Sequence, residues 1–139
     1  MLKRTGFKRK PNKLKKKSKT KISTIQRQLW NECKRIVRAT REPYCYTCGK
    51  GPLEGANYHT GHGPWPKSVL GANLKYDLRI LEPQCFYCNI RCGGMGAEFY
   101  KRKVKENGQQ WMDDLEKEKQ GTVKAYDHYV MLLAKYKEL

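Results

Sequence analysis

Two cysteine pairs with the same two-residue spacing constrain this chain more than any other feature. Cys45 and Cys48 form the first pair, Cys85 and Cys88 form the second, and 36 residues separate the pairs. Two thiolates at this spacing lie on one tight knuckle, and two knuckles complete a tetrahedral zinc site. Gly49 follows the first pair and suits the turn that a knuckle needs. The chain is therefore predicted to fold around a structural zinc ion, with an insert between the knuckles.

The four-cysteine assignment has one rival, in which the first cysteine pair shares the ion with His59 and His62. The ten-residue gap and the His-x2-His spacing are both short for such a site, and the second cysteine pair is then left without a role. Of the two remaining cysteines, Cys33 is expected to be a small core residue. Cys92 is expected to serve packing, because four sulfurs already close the site.

The formal net charge of +17 is concentrated at the start of the chain. Residues 1–22 contain eleven basic and no acidic side chains, which leaves 19 basic and 13 acidic groups, a net +6, on the other 117 residues. Such a charge favours a polyanionic partner, and a basic low-complexity segment is expected to be disordered until it binds. We therefore divide the chain into a basic DNA-binding tail at 1–22 and one zinc-containing domain at 23–139. The candidate DNA contacts in the tail are Lys8, Arg9, Lys10, Lys15, Lys16 and Lys17.

The hydropathy of the sequence argues against a membrane-spanning protein and against a secreted one. No apolar stretch approaches the roughly 20 residues of a membrane span, and no apolar block of a secretory signal follows the basic start. We therefore expect no membrane partner and a reducing compartment, in which cysteines stay free or bind metal.

A helix is predicted before the cysteine-rich region. Apolar residues recur at helical spacing over 24–40, and Ser23 with Gln26 makes a capping box at the start. From 43 to 92 the chain is rich in Gly and Pro, which predicts irregular structure held by metal rather than by a large core. The apolar face of the helix is Ile25, Leu29, Cys33, Ile36 and Val37.

Helical periodicity returns after residue 95. One helix is predicted to end at Gly108, a short one near Gly121, and a last one covers 122–138. His128 is expected to be a surface or hydrogen-bonded histidine, and the last helices are the candidate dimer interface. One apolar stripe is predicted along the last helix, formed by Val123, Tyr126, Val130, Leu133 and Tyr136. The fold class is therefore α+β and mainly helical.

Two side chains beside the cysteines suggest a chemistry. His62 follows Gly61 between the pairs, and Asn89 follows the second pair directly. Hydrolysis of a phosphodiester needs a general base for water and a divalent metal at the phosphate. A neutral imidazole is such a base near pH 7, and an amide oxygen suits Mg²⁺. The alternative is that both side chains only brace the zinc knuckle through hydrogen bonds.

The order of these motifs resembles a known group of nucleases. Cys-x2-Cys, then Gly-His, then Cys-x2-Cys-Asn is similar to the zinc-knuckle HNH (ββα-metal) nucleases, and among them to phage resolvases of the endonuclease VII type. The resemblance is closer still to the phage NinG/Rap recombination family. The segments that carry it are Gly61-His62, Leu74–Arg79, Gln84–Asn89, Glu98-x-Tyr100, Asn107–Glu116 and Asp127–Lys137.

The resemblance implies a fold and an activity. The fold would be a treble-clef-like ββα-metal core flanked by N- and C-terminal helices. The activity would be that of a Mg²⁺- or Mn²⁺-dependent endonuclease that cuts branched DNA, such as a Holliday junction or D-loop, during phage recombination. Such a protein is phage-encoded and acts in the cytoplasm of the bacterial host. Paired cuts across a junction would suit a homodimer.

Carried over position by position, the resemblance makes His62 the catalytic histidine and Asn89 a ligand of the catalytic metal. Many HNH enzymes have an acid directly before the catalytic histidine, where this chain has Gly61. The replacement ligand is therefore His59 or Asp77. We prefer His59, because it lies on the same short segment as His62.

Two further positions depart from the pattern of the family. Ile80 stands where related sequences usually have an Asn that orients the catalytic histidine, and Cys92 stands where endonuclease VII-like proteins have an acid. Without that Asn, the sequence does not show which residue orients the ring of His62. These departures favour a competing interpretation, in which the chain is a non-catalytic zinc protein that binds DNA or RNA as a recombination accessory.

Overall fold

The computed structural model describes residues 19–139, which form a mainly helical α+β fold. Strands β1, His59–Gly61, and β2, Glu82–Gln84, pair antiparallel into a two-stranded sheet. A π-helical turn, Tyr87–Arg91, follows β2. The α-helices are α1 Ile22–Thr40, α2 Gly96–Asn107, α3 Gln109–Gln120 and α4 Ala125–Lys137.

Most of the predicted basic tail lies outside the described residues, which begin at position 19. At the start of the described part, the Lys19 ammonium lies 3.7 Å from the centre of the Tyr126 ring on α4. Among residues 19–139, none of the helices combines the length and apolar character that crossing a membrane requires. The candidate DNA contacts that fall outside the described residues are Lys8, Arg9, Lys10, Lys15, Lys16 and Lys17.

Helix α1 confirms the predicted apolar face but not its predicted start. The capping box is wrong, because the helix begins at Ile22, with Lys21 as its N-cap and no side-chain cap. Ser23 therefore lies in the first turn, and the carbonyl of Lys21 accepts the first helical hydrogen bonds. The buried residues of α1 are the five that periodicity predicted, Ile25, Leu29, Cys33, Ile36 and Val37.

The main core forms where α1 and α4 pack against the segment 70–81. The Tyr136 hydroxyl on α4 donates to the carbonyl of Tyr76 at 2.8 Å, and the buried Cys33 thiol on α1 lies 3.7 Å from the same carbonyl. The prediction that 43–92 is held by metal rather than by a core is therefore wrong for this segment. The residues of the segment buried in the core are Leu70, Leu74, Tyr76, Ile80 and Leu81.

The predicted apolar stripe of the last helix is only partly correct. Val123 precedes α4 and Val130 lies on its outer side, and these side chains are 45% and 43% exposed. The helix buries the face that meets α1, because burial follows the packing partner rather than the longest run of apolar positions. The buried residues of α4 are Tyr129, Leu132, Leu133 and Tyr136.

Helix α2 ends at Gly108, as predicted, and α2 and α3 pack on each other on either side of this glycine. Gly108 has φ +92°, a value that favours glycine, and its N–H donates to the carbonyl of Val104 at 2.7 Å. Lys103 on α2 is buried and donates to Glu82 on β2 at 2.7 Å. This ion pair ties α2 to the small sheet.

Candidate metal centre and adjoining cleft

The four cysteines of the two pairs converge on one point. Their sulfur atoms all lie within 4.8 Å of one another, and Cys48 Sγ is 3.8 Å from Cys85 Sγ. A tetrahedron of sulfurs around zinc, with bonds of about 2.3 Å, has edges of about 3.8 Å. Cys45, Cys85 and Cys88 are buried and Cys48 is exposed. The arrangement can hold one zinc ion with no position left open for a reactant.

Backbone hydrogen bonds shape both knuckles. Gly49 takes φ +76°, and its N–H donates to the carbonyl of Cys45 at 2.8 Å, which closes the first knuckle. The N–H of Asn89 donates to the carbonyl of Cys85 at 3.0 Å, which closes the second. A third bond, from the N–H of Tyr46 to the carbonyl of Pro83 at 2.8 Å, joins the first knuckle to β2.

The surroundings of Cys45 favour the ionised form of its thiol. Burial opposes its charge, but hydrogen bonds from the Thr47 hydroxyl and from nearby backbone groups outweigh burial and lower its pKa to about 6. Burial raises the pKa of Cys88 to about 12, so the full set of four thiolates requires a cation.

The other cysteine predictions have mixed outcomes. Cys33 is a buried core residue as expected, with its pKa raised to about 12 by burial and by the nearby carboxylates of Glu32 and Asp77. Cys92 is exposed, so its predicted packing role is wrong. The rival zinc set does not assemble, because in the described residues it is the two cysteine pairs, without His59 or His62, that form the cluster.

The strand register brings His59 next to Asn89. His59 on β1 lies opposite Gln84 on β2. Gln84 directly precedes Cys85, and Asn89 lies one helical turn after Cys85. The Asn89 amide then lies 3.1 Å from His59 Nδ1, and His59 Nε2 lies 3.0 Å from the carbonyl of Ala56. In this network the amide nitrogen of Asn89 donates to Nδ1, and Nε2–H donates to the carbonyl of Ala56.

The structure explains why glycine stands directly before His62. A Cβ atom at Gly61 would lie 2.2 Å from Gln84 Oε1. Gln84 is buried, and its amide is fixed by donating to Thr47 Oγ1 at 3.1 Å and to the carbonyl of Gly94 at 2.8 Å. An acid at this position would have to displace a pinned, buried side chain.

His62 is positioned by an aromatic residue that the sequence analysis did not identify. Its ring stacks on Trp30 of α1, with centroids 4.5 Å apart and planes 13° from parallel. Burial, with repulsion from Lys67 and Lys75, lowers the pKa of His62 to about 4. Its buried Nδ1 has no hydrogen-bond partner among the described residues. Ile80 is fully buried in the main core.

His62 and Asn89 line two adjoining clefts, of about 390 and 220 Å³. The larger cleft also contains His59 and one wall of α1, and the smaller contains Lys67 and the glycine-rich start of α2. None of the described residues that line either cleft is acidic. The site is therefore a cationic groove, which favours an anionic ligand.

Asp77 is not among the described residues that line this groove. Its carboxylate accepts hydrogen bonds from the backbone N–H of Arg79 at 2.9 Å and from the Arg79 guanidinium at 2.7 Å. The same guanidinium pairs with Glu118 on α3 at 2.5 Å. Asp77 thus closes the turn 77–79 and links it to α3.

His128, which was expected to be a surface or hydrogen-bonded histidine, lies outside the groove. It lies half-buried on α4, with its ring 6.3 Å from that of Tyr129. Its Nε2 is buried without a partner in the described residues, so the expected hydrogen bond is missing at that atom.

The fold and the site define a class of small α+β proteins in which a four-cysteine knuckle supports a histidine-bearing strand pair. The family described as Bacteriophage Lambda NinG protein matches residues 2–139, so the chain belongs to the NinG family. Membership assigns it a role related to phage recombination. No curated protein and no solved structure matches the chain.

Proposed function

We propose that the chain is a metal-dependent endonuclease of HNH type that cuts branched DNA during phage recombination. The observation that carries this proposal is the groove itself. A neutral, stacked histidine and a paired His59 and Asn89 share one cationic groove that has no acidic lining residue among those described. Such a groove can accept a phosphodiester and also offer a base to a water molecule.

His62 is the proposed general base. Its low pKa keeps the imidazole unprotonated at neutral pH, so it can accept a proton from water as the water attacks phosphorus. The stack on Trp30 holds the ring plane, which aligns the accepting nitrogen before the substrate arrives.

His59 and Asn89 are the proposed ligands of a divalent ion. When bound, such an ion neutralises charge on the phosphate and on the leaving oxygen. The side chains of the two residues already meet at 3.1 Å, and rotation of the amide presents its oxygen beside His59 Nδ1. An imidazole and an amide without a carboxylate fit Mn²⁺ better than Mg²⁺, which prefers carboxylate oxygens.

Branched DNA is the proposed substrate because of the role of the family in recombination. The basic tail and the groove supply phosphate contacts, which position DNA without reading its sequence. A homodimer with two-fold symmetry would place two such grooves for paired cuts. Exposed apolar residues on α4, Val130 and Met131, make this helix the candidate interface.

The test is a nicking assay on a synthetic four-way junction with Mn²⁺ or Mg²⁺. Wild type is expected to nick near the branch, and His62→Ala to lose at least about 100-fold in rate while binding the junction as before. His128→Gln is the matched histidine control and is expected to nick normally. Equal nicking by His62→Ala would contradict the mechanism, and binding without nicking by wild type would assign the chain to non-catalytic accessory proteins.

A further inference from the structure

We propose that one face of α1 binds the phosphodiester backbone of the strand presented to His62, an inference that builds on the proposed nuclease function. Lys34 and Arg38, which we name the cationic wall, lie four and eight residues after Trp30 and therefore on the same face of the helix. Both line the larger cleft together with Trp30, His59 and His62. The cationic wall thus faces the proposed reaction centre across the groove.

The charge of the cationic wall is not neutralised within the described part of the chain. Neither Lys34 nor Arg38 pairs there with a carboxylate, whereas Arg35 on the same helix pairs with Glu32 at 2.7 Å. Among the residues that the structure describes, none of those lining the cleft beside the cationic wall is acidic. Two uncompensated cations beside an acid-free groove favour an extended anion over a neutral ligand.

Arg38 is held in place before any ligand arrives. Its Nη2 donates to the carbonyl of Tyr58 at 3.0 Å, and its guanidinium carbon lies 5.1 Å from the centre of the Tyr58 ring. A guanidinium has five donors, so most of them remain for phosphate oxygens. Lys34 lies one turn away, about 6 Å along the helix axis. The pair can therefore hold one strand at two points.

The experiment measures binding without cleavage. A fluorescently labelled four-way junction is titrated with full-length protein in EDTA at several KCl concentrations. The salt slope is the steepness with which the logarithm of the binding constant falls with the logarithm of the KCl concentration. Each lost phosphate contact lowers this slope by about 0.9, so Lys34→Gln/Arg38→Gln is expected to lower it by about 2. The charge-matched control Lys105→Gln/Lys117→Gln, on α2 and α3, should keep the wild-type slope. Lys34→Arg/Arg38→Lys should also keep it, because the charge is preserved.

The outcomes separate this proposal from the proposed nuclease function. Equal slopes for the cationic-wall variant and its control would overturn the role of α1, even if wild type cuts DNA. A selective drop in slope supports that role even if wild type never nicks the junction.

Discussion

At the residue scale, His62 illustrates how surroundings set the chemistry of a side chain. Burial beneath Trp30 and the charges of Lys67 and Lys75 hold its pKa near 4, below the value of about 6.5 for an unfolded chain. The unfolded state therefore binds the proton more readily between these two values. The stability that depends on neutral His62 is complete above pH 6.5 and is lost as the pH falls toward 4.

The lowered pKa of His62 predicts how its ring titrates in the free protein. In an NMR titration the ring of His62 is expected to stay neutral down to pH 5. The His62 ring signals are identified as those missing from the spectrum of His62→Ala. Trp30→Leu should move the midpoint upward toward 6.5, since it removes part of the burial. A midpoint at or above 6.5 in wild type would show that the groove does not destabilise the charged ring.

A second residue-scale prediction concerns Gly61. Gly61→Ala is expected to lower the free energy of unfolding by about 1–3 kcal/mol, because the new methyl group overpacks the pinned side chain of Gln84. Urea unfolding measures this change. In a Gln84→Ala background the cost should shrink, since the clashing atoms are gone. An equal cost in both backgrounds would mean that Gln84 is not what excludes a side chain at 61.

At the element scale, we expect the pairing of β1 with β2 to depend on the two cysteine knuckles. Cys45→Ser is expected to lose the zinc ion and with it the pairing of β1 with β2, because binding of a structural metal is coupled to folding. Metal analysis of purified protein should give one zinc per wild-type chain and none for this variant. Cys33→Ser, which lies outside the cluster, should keep its zinc. Zinc loss in both variants would mean that general unfolding, not a lost ligand, explains the result.

The elements differ in how far the sequence could predict them. The buried face of α1 and the cysteine cluster were both predictable, because helical spacing and the two-residue cysteine spacing are local signals. The buried face of α4 was predicted only in part and the core role of 70–81 was missed, since both depend on what packs against them. The stack of Trp30 on His62 joins residues 32 positions apart, and nothing local marks it.

At the scale of the whole molecule, two separate groups of buried residues support the proposed groove. The main core between α1, α4 and 70–81 and the cysteine cluster are distinct groups of buried residues. The proposed groove lies where α1 of the first group meets the strand pair held by the second. Sequence spacing predicted the cluster, and the places of His62 and Asn89 beside the cysteine pairs, with the family resemblance, singled out these two residues. The assembly of the groove needed the packing of α1 against the knuckle region.

The measurement that tests the central claim most directly compares two substrates. Zinc-loaded, full-length protein with Mn²⁺ is mixed with a four-way junction and with a linear duplex of the same sequence, and the products are resolved on a denaturing gel. We expect cuts near the branch of the junction and little or no cutting of the duplex. Failure to cut the junction with either Mn²⁺ or Mg²⁺, or equal cutting of both substrates, would contradict a structure-selective nuclease.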